Sequence, residues 1–310
     1  MYKDIENKLG LEIEQTTILN SGWAGEIISL KLKDNMQKYI VKTYSSSKNG
    51  LENIKQEWAG LNILYKANYP VPKPVMINDS TNIPPYIVME EIKGENFWTY
   101  YLNLANENKE QLLYEFTRLF FELHELDTSI VNNSQTKYST ASFIEEEINN
   151  IKKLIEENNL KCFNDVLHWL QFEKTNIMNH TLSIIHRDFH PWNVIVDITG
   201  KLYVIDLLWG IGDYRFDLAW TCTLMERSGF KDFSDNIFNK YQSLKKENIS
   251  NFEYFKVLST LRWLVNVVIS LKTGDNLNET RNAEFENFIS PLIQKGVQLI
   301  KEIACIQIII

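Results

Sequence analysis

The segment from His186 to Asn193, HRDFHPWN, and Asp206 at the end of the apolar run KLYVID combine side chains that could move a phosphoryl group. Asp188 offers a carboxylate to accept a hydroxyl proton, Asn193 an amide oxygen and Asp206 a second carboxylate. Together they could orient an alcohol and hold magnesium beside a nucleoside triphosphate, since oxygen ligands suit that hard cation. The same residues leave a second chemistry open. His186, Asp188 and His190 alternate along the chain and could present metal ligands from one face of an extended segment, as a metal-dependent hydrolase would need. The other histidines, His124, His168 and His180, fall in helix-like stretches without ligand spacing. In the phosphoryl-transfer reading His186 and His190 instead brace the loop by hydrogen bonds.

The flanking patterns say what must position these groups. LSIIH before the motif and NVIVD after it are short apolar runs, and KLYVID follows a Thr199-Gly200 turn, so the motif sits in a loop feeding a β-hairpin. Asp188 and Asn193 then share the loop, and Asp206 emerges where the second strand stops. Upstream, SGWAG is turn-like and precedes an apolar-rich strand; Ser21, Gly22 and Gly25 could let the backbone approach phosphates closely, although the full GxGxxG pattern is missing and a plain turn has the same composition. Lys42 lies in the strand-like YIVKTY. Glu57 lies in GLENIKQEWAGLNILYKA, whose Leu51, Ile54, Trp58, Leu61 and Leu64 form a helical apolar stripe. Pro70, Pro72 and Pro74 make the next stretch an extended connector, and PPYIVMEEIKG reads as a buried strand.

At this point the chain resembles the aminoglycoside phosphotransferase and choline kinase family, which has a protein-kinase-like fold. The family pattern HxDxxxxN is met by His186, Asp188 and Asn193, and the later ID and GDxxxDLA, here with five residues between them, by Ile205, Asp206, Gly212, Asp213, Asp217, Leu218 and Ala219. The resemblance implies Asp188 as catalytic base, Asn193 and Asp206 as magnesium ligands, and Asp217 as support for the catalytic loop from the start of the next helix, where the helix dipole favours a carboxylate. It implies that Lys42 contacts nucleotide phosphates with Glu57 as its partner, that Met89 flanks the adenine, and that Glu90 and Ile92 offer backbone groups to its edge. Protein kinases share the HRD loop, but here Asp206-Leu207-Leu208 stands in place of DFG, His190 in place of the usual Lys, and GDYRFDLAW follows with little room for an activation loop. A small-molecule acceptor is therefore expected, with ATP or GTP as donor and Mg2+ as cofactor. The intact trio Asp188, Asn193 and Asp206 separates a working kinase from a non-catalytic nucleotide-binding protein on the same fold.

Composition agrees. The 310 residues are 44% hydrophobic, enough for substantial cores. The expected architecture is α+β and bilobal: a small β-rich nucleotide-binding lobe over residues 1–93 and a larger, mainly helical catalytic and acceptor-binding lobe over 94–310, divided near Gly94. The net charge of −8 and the lack of a basic patch argue against nucleic acid and are compatible with a cationic acceptor such as an aminoglycoside or amino alcohol. Glu145 and Glu146, in the run Glu145-Glu146-Glu147, are candidate acceptor contacts, although such a run is also an ordinary solvated helix face. Trp192, Trp209 and Trp263 could box an ammonium group; Trp209, close behind Asp206, is expected at the cleft mouth. With no secretion signal and no apolar run approaching the roughly twenty residues that span a bilayer, a cytoplasmic protein without membrane partners is expected, as monomer or homodimer. Cys162, Cys222 and Cys305 read as reduced thiols in packed positions. The apolar tail IQIII either docks on the helical lobe or makes an oligomer contact.

Overall fold

The alternating and helical periodicities settle into two compact units in a computed structural model that describes residues 1–22, 25–80, 83–131, 139–273 and 279–310. The first unit comprises Met1–Lys109 and Pro191–Gly210, the second Glu110–His190 and Ile211–Ile310.

In the first unit, β1 (Ile13–Gly22), β2 (Gly25–Leu32), β3 (Lys38–Thr43), β4 (Pro74–Asn78) and β5 (Tyr86–Glu90) form one antiparallel sheet in the order β1-β2-β3-β5-β4. Period-two alternation decides its two faces. Ile28, Leu30, Val41, Tyr86 and Val88 are buried on one face with Ile5 of α1 (Tyr2–Leu9). Lys42, next to Val41, therefore projects the other way, toward α2 (Lys48–Lys66). Ser47 caps α2 by accepting the Gly50 N–H at 3.2 Å. Ile54, Leu61 and Leu64 are buried, as the stripe requires, while Leu51 and Trp58 are partly covered.

A second, three-stranded sheet belongs to the same unit. β6 (Gly94–Asn96) pairs with β8 (Val194–Asp197), which pairs with β9 (Leu202–Val204). This is the expected hairpin, turned by Gly200 at φ 87°. A side chain at Gly94 would lie 2.1 Å from the Val196 carbonyl oxygen, so glycine permits the close β6–β8 approach. That pairing carries the first unit past the expected division at Gly94: α3 (Phe97–Asn103) and residues 191–210 go with the sheets rather than with the helices.

α4 (Asn106–His124) leads into the second unit, which holds β7 (Ser183–Ile185) and the helices α5 (Thr140–Glu157), α6 (Asn164–Glu173), α7 (Tyr214–Arg227), α8 (Lys231–Lys245), α9 (Phe252–Thr273) and α10 (Glu279–Ala304). α9 corrects one expectation. By length and composition it is apolar enough to cross a membrane, with mean hydropathy 1.3 over its best window, and 67% of that window is buried inside the protein. A helix apolar all round is what a core position demands, and Phe255, Leu258, Leu261 and Leu264 are fully buried there. The tail docks in part: Ile308 is 5% exposed within the same core, while Ile309 and Ile310 are exposed. Of the cysteines, Cys222 is buried, its thiol pushed up to about 12 by desolvation, Cys162 is partly buried and Cys305, expected in a packed position, is exposed because it follows the end of α10.

Candidate active site

Glu57 falls on the apolar face of α2, between Ile54 and Leu61, and is only 5% exposed. A carboxylate buried there needs a partner, and Lys42 supplies it from β3. Lys42 Nζ donates to Glu57 Oε1 at 3.0 Å and Oε2 at 2.8 Å, and to Asp206 Oδ1 at 2.5 Å. Tyr44 Oη also donates to Glu57. Burial works against the Lys42 ammonium, but Glu57 and Asp206 outweigh it and hold its pKa above the ordinary lysine value. Burial pushes the Glu57 carboxyl up and the Tyr44 phenol up. The first unit thus concentrates one cation between two carboxylates.

Asp206 stands two residues after the end of β9 with φ 58°, in the left-handed region, where a short polar side chain is tolerated better than most. Asn193, which immediately precedes β8, accepts the Ile205 N–H on its carbonyl at 3.0 Å. The β8–β9 hairpin therefore brings Asn193 and Asp206, thirteen positions apart in sequence, to neighbouring backbone positions. Both side chains end in hard oxygen donors, as magnesium prefers. The turn at Asn193 is braced by Asn96, whose amide donates to the Trp192 carbonyl at 2.7 Å, and by the Trp98 ring, 5.5 Å from that of Trp192.

In the second unit the loop at 186–189 is held by one face of α7. Asp213 caps that helix, accepting the Arg215 N–H at 3.0 Å, and pairs with the buried Arg215 guanidinium. One turn on, Asp217 is completely buried; its Oδ2 accepts the His186 backbone N–H and its Oδ1 that of Arg187, each at 2.7 Å. His124 Nε2 lies 3.2 Å from Asp217 Oδ2, and its Nδ1 2.6 Å from Tyr241 Oη. Arg187 has φ 70°, a backbone state that costs of order 1 kcal/mol for a residue with a side chain, and the Asp217 contacts hold it. Thr221, four residues after Asp217 and so on the same helical face, donates to the Phe189 carbonyl at 2.6 Å. Phe189 itself stacks on Phe120, with ring centroids 4.0 Å apart.

Asp188 projects from this clamped segment. Its Oδ1 accepts Trp220 Nε1–H at 2.8 Å and lies 3.4 Å from His190 Nε2. Burial pushes its carboxyl up, but the contacts with His190, the nearby His186 and the Trp220 hydrogen bond together hold it below the usual carboxylate range. His186 is fully buried, with its Nδ1 accepting the Asp188 N–H at 3.3 Å, so that nitrogen is engaged in the loop rather than offered to a metal. Among the described residues no group of three or more His, Cys, Asp or Glu is arranged to hold a metal ion.

Other expected site residues fall in varied places. Ser21 and Gly22 end β1 and Gly25 opens β2, with Gly22 opposite Gly25 in the ladder. Trp23 and Ala24, the centre of the expected phosphate-approach turn, lie outside the described residues, as do the side chains around it. Met89 is buried in β5 opposite Ile40, and Ile92 is partly buried beyond the strand end. Glu90 ends β5, where its N–H donates to the Lys73 carbonyl at 3.0 Å and its side chain pairs with Lys73.

Trp209, expected at a cleft mouth, is 8% exposed and packed on α2, where its Nε1–H donates to the Gln56 carbonyl at 2.6 Å. The cause is Gly60: a Cβ there would stand 2.1 Å from Trp209 Cδ1, so only glycine leaves room for the indole. The acidic run is likewise not an open patch. Glu145 is paired with Lys174, which holds its carboxyl below the ordinary value, Glu146 is exposed, and Glu147 is buried against Arg187 at 2.5 Å. Sequence reasoning assigned no role to His124, Trp220, Thr221 or Arg262. For Trp220 and Thr221 a signal existed: they stand three and four residues after Asp217 on one helix.

The model of the phosphotransferase enzyme family matches residues 16–249 of this chain. Among curated proteins no match in sequence is found. Solved structures share the fold. Aminoglycoside phosphotransferase APH(2'')-Ib with ADP bound superposes with TM-score 0.64 at 20% identity, covering 96% of this chain and 97% of that one. The streptomycin–ATP–APH(2'')-IIa ternary complex gives 0.63 at 18% identity, covering 99% and 95%. Choline kinase LicA from Streptococcus pneumoniae gives 0.64 at 19% identity, covering 95% and 99%.

Proposed function

The chain belongs to the phosphotransferase enzyme family, and from that premise we propose that it transfers the γ-phosphoryl group of ATP to a hydroxyl of a small molecule. The observation that carries the reading is the placement of Lys42 Nζ between Glu57 and Asp206, joined in sequence order to an HRD loop whose carboxylate is held in place. In this reading the first unit handles the donor. Lys42, fixed by Glu57, meets the phosphates; Asn193 and Asp206 are the residues that would hold magnesium, which when bound offsets the triphosphate charge. ADP and ATP in the solved relatives support a nucleotide donor, with GTP as the alternative to be tried beside ATP.

The second unit supplies Asp188. The acceptor hydroxyl gives its proton to the Asp188 carboxylate as its oxygen forms a bond to the γ-phosphorus and the bond from that phosphorus to the β–γ bridging oxygen breaks, releasing the nucleoside diphosphate. In a loose transition state the proton leaves late, so the chief task of the residues around Asp188 is to aim it. A carboxyl held below its usual range is ionised at neutral pH, as an acceptor of protons must be.

Aminoglycosides and choline, the acceptors named for the relatives, are cationic alcohols. The pairing of Glu145 with Lys174 and of Glu147 with Arg187 leaves the acidic run a weaker argument for a cation than its composition suggests, so neutral polyols belong in the same trial. The deciding experiment incubates the protein and Mg2+ with ATP or GTP and a panel containing gentamicin, streptomycin, choline and simple sugars, scoring phosphate found on the acceptor above background hydrolysis. Transfer to one acceptor, lost in Asp188→Ala with nucleotide binding retained, is the expected result. Transfer undiminished in Asp188→Ala would overturn the assignment.

A further inference from the structure

We propose that Trp220 is a positioning residue for the transfer step, holding the Asp188 carboxylate through its indole N–H, and that Arg262 is the platform that keeps Trp220 in place. The inference rests on the reading of Asp188 as the proton acceptor. α7 meets the loop with three side chains in consecutive helical register. Asp217 takes the N–H groups of 186 and 187, Thr221 donates to the carbonyl of 189, and Trp220 reaches the one group between them that could do chemistry, Asp188 Oδ1, at 2.8 Å. Residues i, i+3 and i+4 share a helical face, so the three contacts are set by the pitch of one helix. The family pattern ends at Ala219 and assigns nothing to the tryptophan and threonine that follow.

Trp220 is itself held. The Arg262 guanidinium lies 4.7 Å from the Trp220 ring centroid, and Arg262 Nη1 donates to the Arg187 carbonyl at 3.1 Å. One side chain from α9 thus stacks on the indole and ties down the residue before Asp188. Arg187, with φ 70°, is gripped from three sides: its N–H by Asp217, its carbonyl by Arg262 and its guanidinium by Glu147. Asp188, the next residue, receives a fixed backbone and, through Trp220, a fixed carboxylate. A hydrogen bond from a neutral donor to a carboxylate also favours the ionised form that accepts the proton.

The test uses the full-length protein. Trp220→Phe keeps most of the ring and removes the donor. It should lower kcat about tenfold or more, on whichever panel acceptor the wild type turns over, with KM for ATP within about twofold; tenfold in rate is about 1.4 kcal/mol. Arg262→Lys, which keeps charge but loses the planar stack, should lower kcat several-fold in the same pattern. A second readout is independent of turnover. The indole N–H resonance that disappears in Trp220→Phe should move when Asp188→Asn is introduced into the 15N-labelled protein. A wild-type kcat in Trp220→Phe, on an acceptor that Asp188→Ala cannot phosphorylate, would overturn the proposal, as would an indole resonance indifferent to Asp188→Asn. If Asp188→Ala transfers phosphate normally while the resonance does move, the contact stands and it is the assigned function that fails.

Discussion

The Lys42 cluster and the Asp188 loop each hold reactive groups in place by opposite means. In the first unit Lys42, Glu57 and Asp206 hold one another by charge, each contact ending on an ionisable side chain. In the second, Asp217 holds two backbone N–H groups, Thr221 a backbone carbonyl and Trp220 a carboxylate. The first arrangement can open when a charged ligand offers Lys42 a better partner. The second has no such exchange built in, because the loop is held by its peptide groups. Under the proposed function, a donor that arrives and leaves would meet exchangeable partners, and the proton acceptor fixed ones.

Asp217→Ala should break this contrast most severely. It strands the buried His186 N–H, the partly buried Arg187 N–H and His124, each costing of order 1–3 kcal/mol, so calorimetry should show a stability loss of roughly 3 kcal/mol or more and no transfer, with Mg-ATP affinity nearly unchanged. An equal loss of nucleotide affinity would erase the distinction between the two regions. Glu57→Gln keeps volume and removes a charge, leaving Lys42 with Asp206. ATP affinity measured by titration calorimetry should fall about tenfold, near 1.4 kcal/mol; unchanged affinity would mean that Asp206 alone sets Lys42.

Gly60→Ala probes the packing behind the charged cluster. The added methyl meets Trp209, so urea unfolding should show about 1–3 kcal/mol of destabilisation and Mg-ATP binding should weaken, since Trp209 follows Asp206 closely. Normal stability would show that the indole has somewhere else to go. The smallest effect is in pH dependence, and its sign differs between the regions. Lys42 has a raised pKa, so its contribution is complete below the unfolded-state value of about 10.4 and fades as pH rises through the folded-state value. Asp188 has a lowered one, so its contribution is complete above about 3.9 and fades as pH falls through the folded-state value. Thermal melts should show Lys42→Met approaching wild type only at the alkaline end and Asp188→Asn only at the acid end; gaps constant with pH would show that neither titration is coupled to folding.

Much of this was legible in the sequence because the chemistry-bearing residues sit beside turn and strand signals that fix their spacing. HRDFHPWN, the Thr199-Gly200 turn and the strand-helix order of Lys42 and Glu57 all have local signatures. The misread residues depend on partners far away in the chain. Trp209 three places after Asp206 reads as a rim residue until the missing side chain of Gly60 is set against it. Glu145 reads as an open charge until Lys174 meets it. The division at Gly94 fails for another reason: β6 is three residues long, too short to show any periodicity. Trp220 and Thr221 lay inside the stretch GDYRFDLAWT, but their role needs the knowledge that α7 packs against the loop and not away from it.

The pairing of β6 with β8 has a consequence for the order of assembly. Gly94 and Asp197 are partners across about a hundred intervening residues, and contacts of such sequence separation close late. The five-stranded sheet has its strands within the first 90 residues and can form while the chain is still being synthesised. The strands that carry Asn193 and Asp206 must wait until the loop of Asp188 has been made. The hairpin flanked by Asn193 and Asp206 therefore cannot be completed ahead of the Asp188 loop, and a truncated chain ending before residue 191 would keep Asp188 and lack both Asn193 and Asp206.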